Sequence, residues 1–483
     1  MPRYFIGIDN GSQSAKVTIF DAVGHAVSEG RQPLRPNHMP APGVVEHPDD
    51  DLWTSIGQAC RTAMDGFAGD VTEIVGVGLC TIRFCRALLL RDGSLAQPML
   101  SWMDTRVAMP HRQDDDDRFG WVTSSSGYIT HRMTGEFRDS AANYQGMWPI
   151  DTDTWRWTDD PDRLRASGID RDQLFELVLP GDVLGQVTAD AAAATGLPVG
   201  LPVVATANDK AVEALGSGLR DPGTLLVSLG TYIAGMTIGE RNATGASRFW
   251  TNFGCIPHRY LYESEGIRRG MWTVSWYRDL LGAHGQAVAD AAGLTVEEHL
   301  ERGAEQVPVG SEGLLTTLDW LAPGDAPFRR GSMLGFDGRH GRHHIYRSVL
   351  EGIAMTMRQR TTAMTAELDQ HVDRLVLSGG GAGSDLMVRI FADVFDLPVA
   401  RPRVSNAAGL GAAMCVAVGL GEYPDFDTTV EAMVQPGTPV DPNEAAHHRY
   451  REIGEVYQSV TASTDEIFRR LAALGGLAAP ATE

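Results

Sequence analysis

No apolar run in the 483-residue chain reaches the roughly 18 residues that a membrane-spanning helix needs, so no membrane partner is expected. Positive charge is in deficit. Lysine and arginine total 41 against 62 acidic residues, a net charge of −21. That balance argues against a broad nucleic-acid or anionic-membrane surface, and an anionic ligand would need local backbone donors or a metal ion. Cysteine is scarce: Cys60, Cys80, Cys85, Cys255 and Cys415 are odd in number and form no CxxC pair. This usage excludes a disulfide framework or a zinc knuckle and points to reduced thiols in a cytoplasmic location. No GxxxxGK[ST] occurs, which excludes a Walker-type nucleotide loop. The first residues, MPRYFIGIDNG, enter a strand-like pattern at once and lack the shape of a signal peptide.

What is present is ordinary globular composition, 43% hydrophobic and 21% charged, in a chain long enough for two large domains. Strand-like runs occupy residues 4–8, 17–20, 74–79, 87–90 and 201–207, with helical periodicity between them, as at 51–64. Such mixing predicts an α/β fold. Near Thr224 a strand, a small-residue turn at Gly230-Thr231 and a second strand to Ile238 echo the opening unit, a repeat of architecture rather than of residues. The polar stretch 240–247 is the expected domain boundary. This gives a first domain over 1–242, a second over 243–470 and a flexible Ala/Gly/Pro-rich tail over 471–483. The second half is expected to hold a long helix over 345–368, a strand at 374–377, a glycine turn and a helix over 384–395. The acidic run Asp114–Asp117 reads as a solvated loop.

Three segments carry chemistry. In Asp9-Asn10-Gly11-Ser12-Gln13-Ser14-Ala15-Lys16, the Asn-Gly pair suits a plain hairpin turn needing positive φ. The same turn also displays backbone and hydroxyl donors for phosphate. Asp9 is placed to hold Mg²⁺ through water, since that ion favours one or two carboxylates, and Lys16 is placed to meet negative charge. In the segment Val203 to Glu213, a strand runs into a helix, and Asn208 or Asp209 serves as a helix N-cap. Alternatively Asp209, at the C-terminal end of a strand where α/β proteins gather ligands, accepts the proton of an attacking hydroxyl. The residues alone leave both roles open. Gly379-Gly380-Gly381-Ala382-Gly383-Ser384 lies between a strand and a helix, as a nucleotide turn does. A dinucleotide-binding turn would need an acid about 20 residues on. Pro398-Val399-Ala400-Arg401-Pro402 supplies none, and the spacing departs from GxGxxG.

In order along residues 4–421, these segments and several more resemble the FGGY carbohydrate kinases. The most specific is Gly331-Ser332-Met333-Leu334-Gly335-Phe336 followed, after seven residues, by His344-Ile345-Tyr346-Arg347-Ser348-Val349-Leu350-Glu351. DNGSQSAK resembles the family's first phosphate hairpin and Ser228-Leu229-Gly230-Thr231 its second. Trp102-Met103-Asp104-Thr105-Arg106 resembles its W-x-D-x-R segment, and Gly127-Tyr128-Ile129-Thr130 with Met133-Thr134-Gly135 its GYL…LTG helix. Glu263-Ser264-Glu265-Gly266 with Trp276 is similar to the E-G…W segment. Gly379 to Ser384, Ala392-Asp393 and Leu410-Gly411-Ala412-Ala413 are similar to its adenosine motif.

The resemblance implies an α/β fold of two ribonuclease-H-like, actin-type ATPase domains around a central cleft that holds ATP, Mg²⁺ and a small sugar or polyol. It makes the first domain sugar-binding and the second nucleotide-binding, with Asp209 the catalytic base and Asp9 the metal residue. Gly11, Ser12, Gln13, Ser14, Lys16, Gly230, Thr231, Gly380, Gly381, Ala382 and Asp385 would contact the nucleotide. Arg83, Trp102, Asp104, Asp209 and Lys210 would line the substrate, with Lys210 pointing to solvent or to Glu213 as the alternative. Departures from the family bear on the acceptor: Lys210 stands where many members have an amide, Phe84 follows Arg83 where glycerol kinases have Glu, and Asn406 replaces a Glu. A xylulose-like pentulose is the favoured acceptor, a glycerol- or tetritol-type polyol the alternative. An actin-like ATPase module without a sugar site is the rival of a different class. Self-association into a homodimer is left open.

Overall fold

A computed structural model describes residues 3–112, 119–404 and 406–475; the acidic run Asp114–Asp117 lies outside them. Two six-stranded sheets dominate. In the first, Tyr4–Asn10 sits centrally, with Ser14–Asp21 and Ala26–Pro33 antiparallel on one side. Ile74–Thr81 and Pro202–Val204 lie parallel on the other side, and Val183–Gln186 closes the edge antiparallel. The second sheet repeats the plan. Thr224–Leu229 is flanked by the antiparallel Ile233–Gly239, Tyr260–Ser264 and Phe249–Phe253, and on the other side by the parallel Arg374–Ser378 and Val399–Ala400. The architectural echo read from the residues near Thr224 is therefore a repeated sheet order.

The boundary expected at 242/243 is corrected by this topology. Thr224–Leu229 and Ile233–Gly239 both pair within the second sheet, so the division between sheets falls between Val204 and Thr224. Polar, glycine-bearing composition marks a loop, and it carries no information about which sheet the strand before it joins. The long helices form as their periodicity predicts, at Asp51–Asp65, Arg342–Leu368 and Asp385–Phe395. The last helix, Glu444–Gly475, runs through the first five residues of the expected tail; residues 476–483 are outside those described.

Tyr4–Asn10 is apolar on both faces because both are covered. Ile6 and Ile8 pack with Leu52, Trp53 and Ile56 of Asp51–Asp65, while Phe5 belongs to the larger core shared with Leu410, Ala413 and Met414. Those last residues lie on Ala407–Gly419, a helix apolar on all sides and therefore buried. It comes from the second half of the chain and lies against the first sheet. Backbone meets backbone there: a Cβ on Gly7 would lie 1.9 Å from the Gly409 carbonyl oxygen, and one on Gly411 would lie 2.0 Å from that of Val212. Asn406 caps this helix, accepting from Gly409 N at 3.0 Å, and donates to Thr18 Oγ1 in the first sheet at 3.2 Å. The residue that departs from the family pattern thus works in the seam between the halves.

The C-terminal signature is largely structural. Glu351 Oε1 accepts from Arg347 Nε at 2.8 Å, Gly310 N at 2.9 Å and Tyr450 OH at 2.8 Å, and Oε2 accepts from Ser311 Oγ at 2.8 Å. This buried knot ties Arg342–Leu368 to the final helix and to the turn at Gly310. A Cβ on Gly331 would lie 2.1 Å from the Trp320 ring.

Candidate active site

The opening hairpin turns at Gly11, whose N–H donates to the Ser14 carbonyl at 3.1 Å. Ser12 and Gln13 stand exposed at its tip, while Ser14 is buried and accepts from Arg31 Nε at 3.3 Å. Asp9 lies one residue before the end of the strand, with Lys16 Nζ 3.4 Å from its Oδ2. Burial pushes the Asp9 carboxyl above its ordinary range, Lys16 opposes this, and the charge of Asp209 adds to it.

Asp209 opens the helix Asp209–Gly216, and the two roles left open by the sequence separate here. Asn208 is the cap, its Oδ1 accepting from Ala211 N at 3.1 Å. Asp209 is thereby free of capping the helix; it accepts locally from Lys210 N at 3.0 Å. Its side chain keeps 29% exposure, enough for a hydroxyl to reach it. Burial raises its pKa, opposed first by Arg83 and then by Lys210. A carboxylate of raised proton affinity, open on one side, is suited to general-base chemistry.

Arg83 comes from the loop after Ile74–Thr81, and its Nε lies 3.8 Å from Asp209 Oδ1. Its two terminal nitrogens make a fork onto Glu263, Nη1 to Oε2 at 2.7 Å and Nη2 to Oε1 at 2.9 Å. Glu263 sits on Tyr260–Ser264 in the second sheet and is fully buried. Its Oε2 also accepts from Trp250 Nε1 and Asn252 Nδ2, each at 3.1 Å.

Lys210, expected to line the substrate, turns elsewhere. Its Nζ donates to Glu213 Oε2 at 2.8 Å and to Ser228 Oγ at 3.0 Å. Glu213 Oε1 accepts from Ser228 Oγ at 2.7 Å and Ser378 Oγ at 2.6 Å. Burial disfavours both charges, but Glu213 with Asp209 holds Lys210 above its ordinary value, and Lys210 with the Ser378 and Ser228 hydroxyls holds Glu213 below its own. The pair therefore ties the helix Asp209–Gly216 of the first half to two strands of the second. Asp104 is likewise committed: its carboxylate accepts from Val45 N, Arg106 N and the Arg106 guanidinium, which also reaches Glu46 at 2.7 Å. Trp102 beside it is 47% exposed.

The turns expected on the nucleotide side in the second half come together across chain distance. Gly230 and Thr231 form the second hairpin turn, where the Gly230 carbonyl accepts from Met271 N at 3.2 Å and that of Thr231 from Gly270 N at 2.7 Å. The Gly379–Gly383 turn packs directly behind it. A Cβ on Gly381 would lie 2.8 Å from Met271 Sδ and 2.9 Å from Leu229 Cβ, so only glycine permits this approach. Gly380 is exposed, Ala382 is buried, and Asp385 is exposed and paired with Arg401 at 2.5 Å. A polar cavity of about 630 Å³, lined by Tyr232, Arg268, Asp319 and Arg360 among others, opens in the second half; Asp209 is not among its walls. Among the described residues, no group of three or more His, Cys, Asp or Glu side chains forms a metal cage. No helix there is long and apolar enough to cross a membrane.

Glu263, Ser228 and Ser378 are the site residues to which the sequence assigned no role of their own. Glu263 and Ser228 stand inside motifs, but nothing local says that they face Arg83 and Lys210.

Against known proteins, the N-terminal domain model of the FGGY family of carbohydrate kinases matches residues 4–113 and 109–216, and its C-terminal domain model matches 225–420. An uncharacterized sugar kinase, YgcE of Escherichia coli K12, is 46% identical over 97% of this chain and 95% of its own length. An autoinducer-2 kinase of Photorhabdus laumondii is 25% identical over 95% of this chain and 94% of its own. The crystal structure of a xylulose kinase from Rhodospirillum rubrum superposes with a TM-score of 0.82 at 23% identity, covering 97% of this chain and all of that one. A glycerol kinase of Plasmodium falciparum with ADP gives 0.77 at 16%, covering 95% and 98%. Both share the two-domain actin-like fold.

Proposed function

The chain belongs to the FGGY family of carbohydrate kinases, and from that premise we propose that it transfers the γ-phosphoryl group of ATP to a hydroxyl of a small neutral ketose or polyol, a xylulose-like pentulose first among them. The observation that carries this reading is Asp209: relieved of capping by Asn208, open to an acceptor, and close enough to Asp9 for their charges to interact. Asp209 takes the proton as the acceptor hydroxyl attacks, and phosphoryl transfer otherwise asks mainly for positioning and charge stabilisation. The backbone of Gly11, Ser12, Gly230 and Thr231 offers donors to phosphate oxygens, and Gly380 to Ala382 borders the adenosine.

Mg²⁺ fits the donor set, since the ion commonly takes one or two carboxylates and completes its shell with water and phosphate oxygens. Asp9, at the base of the first hairpin, would hold it. When bound, the ion would neutralise charge on the transferring phosphates.

Neutrality of the acceptor follows from the two cations nearest the base. Lys210 is committed to Glu213 and Ser228, and the terminal nitrogens of Arg83 are committed to Glu263. Each cation is thus already neutralised by a protein carboxylate, so neither offers an unpaired charge to a substrate carboxylate. The test is ADP release over pentuloses, pentitols, tetritols, glycerol and aldonic acids. A neutral acceptor should stimulate release and the acids should not. Release that ignores every acceptor would favour an ATPase module, and stimulation by acids alone would refute the neutral pocket.

A further inference from the structure

We infer that Glu263 is a positioning residue that holds Arg83 beside Asp209 without letting it close on the base. The inference rests on the reading of Asp209 as base. Three observations carry it.

Glu263 is fully buried, and its carboxylate is oriented from its own sheet by Trp250 Nε1 and Asn252 Nδ2, each at 3.1 Å. It presents both oxygens to both terminal nitrogens of Arg83, at 2.7 and 2.9 Å. A guanidinium is a rigid planar fork, so a bidentate grip fixes its plane and hence the direction of its other N–H groups, the one on Nε among them. The Nε stops 3.8 Å from Asp209 Oδ1, near enough for charge to be felt and too far for a hydrogen bond.

Asp209 is the second carboxylate within reach of Arg83. Were Glu263 neutral, the nearest full negative charge to the guanidinium would be the base itself, and a charge-assisted pair between them would occupy Oδ1 and lower the carboxylate's affinity for the substrate proton. Because Arg83 belongs to the first half and Glu263 to the second sheet, the base is kept available only where the two halves meet.

The experiment compares Arg83→Gln, Glu263→Gln and the double variant in the full chain. Turnover is read with the acceptor that best stimulates ADP release in the parent protein, or with water as acceptor if none exceeds it. Glu263→Gln should lower kcat by about 10²-fold, as loss of a general base does, with KM for ATP within about 2-fold. Adding Arg83→Gln should restore at least about 10-fold of that loss, because the residue that captures Asp209 is gone. A merely structural pair would show its loss and recovery in Tm, with kcat of the folded variants unchanged. Glu263→Asp, which withdraws the carboxylate by one methylene, should show the same pattern more weakly and serves if the glutamine variant does not fold. Losses that multiply in the double variant, or unchanged turnover in folded Glu263→Gln, overturn the inference. Asp209→Asn in parallel keeps the two readings apart: near-normal turnover there would remove the base itself, whereas its loss with multiplying effects at Arg83 and Glu263 would remove only the positioning role.

Discussion

Replacing Lys210 with methionine separates a substrate contact from a tether between the halves. The ammonium meets Glu213 at 2.8 Å and Ser228 at 3.0 Å, and the two side chains are only 18% and 15% exposed. Removing one member of such a buried pair costs about 3–5 kcal/mol, because the other charge is left without its partner. Ser228 and Ser378 still donate to Glu213 Oε1, which places the expected loss at the low end, about 3 kcal/mol. At roughly 2–4 °C per kcal/mol for a domain of this size, Tm should fall by about 6–12 °C. Lys210→Met/Glu213→Met should recover most of it, since an apolar pair can replace a buried ion pair at little cost. The pH dependence has a definite sign. Glu213 is held below its ordinary value in the parent, so the pair's stabilisation is present above the unfolded pKa and is lost as pH falls through the folded one. In Lys210→Met, burial acts on Glu213 without that counterweight, so the deficit is largest near neutral pH and shrinks as the carboxylate protonates. Thermal melts of the three variants at neutral and mildly acidic pH, with steady-state kinetics at neutral pH, read all of this. A parent-like Tm with a tenfold lower specificity constant for the acceptor would place Lys210 in the pocket and refute the tether.

Two further outcomes follow from the same geometry. Gly7→Ala puts a Cβ 1.9 Å from the Gly409 carbonyl oxygen, so thermal unfolding should show a loss of about 1–3 kcal/mol or more, whereas Gly338→Ala, with open space around it, should leave Tm unchanged. The rate should fall as pH falls through the pKa of the base, and because burial raises both Asp209 and Asp9, the acid limb of kcat/KM should lie above the ordinary carboxylate range of about 4; a limb at the ordinary value contradicts the buried pair.

Much of the frame was legible from residues in series. The opening hairpin, the second hairpin at Gly230, the glycine turn at 379–383 and the helix beginning at Asp209 all announce themselves through local pattern. What pattern could not carry was pairing across the fold. Arg83 and Glu263 are 180 positions apart, and nothing near either one says which carboxylate the guanidinium takes. Sequence leaves Lys210 between the pocket and Glu213, and helix geometry returns it to Glu213 one turn on. Asp104 was read as a substrate contact from its motif, yet its lone pairs are taken by Val45 and Arg106. The boundary was misplaced at 242 because a polar turn marks where a strand ends and not which sheet it joins.

The central claim is that Asp209 takes the acceptor's proton, and its most direct test is turnover of Asp209→Asn alongside nucleotide affinity in the same preparation. The account predicts a fall in kcat of about 10²-fold or more with ATP affinity nearly unchanged and the fold intact, since Asn208 alone caps the helix. Near-normal turnover in the folded variant would contradict it.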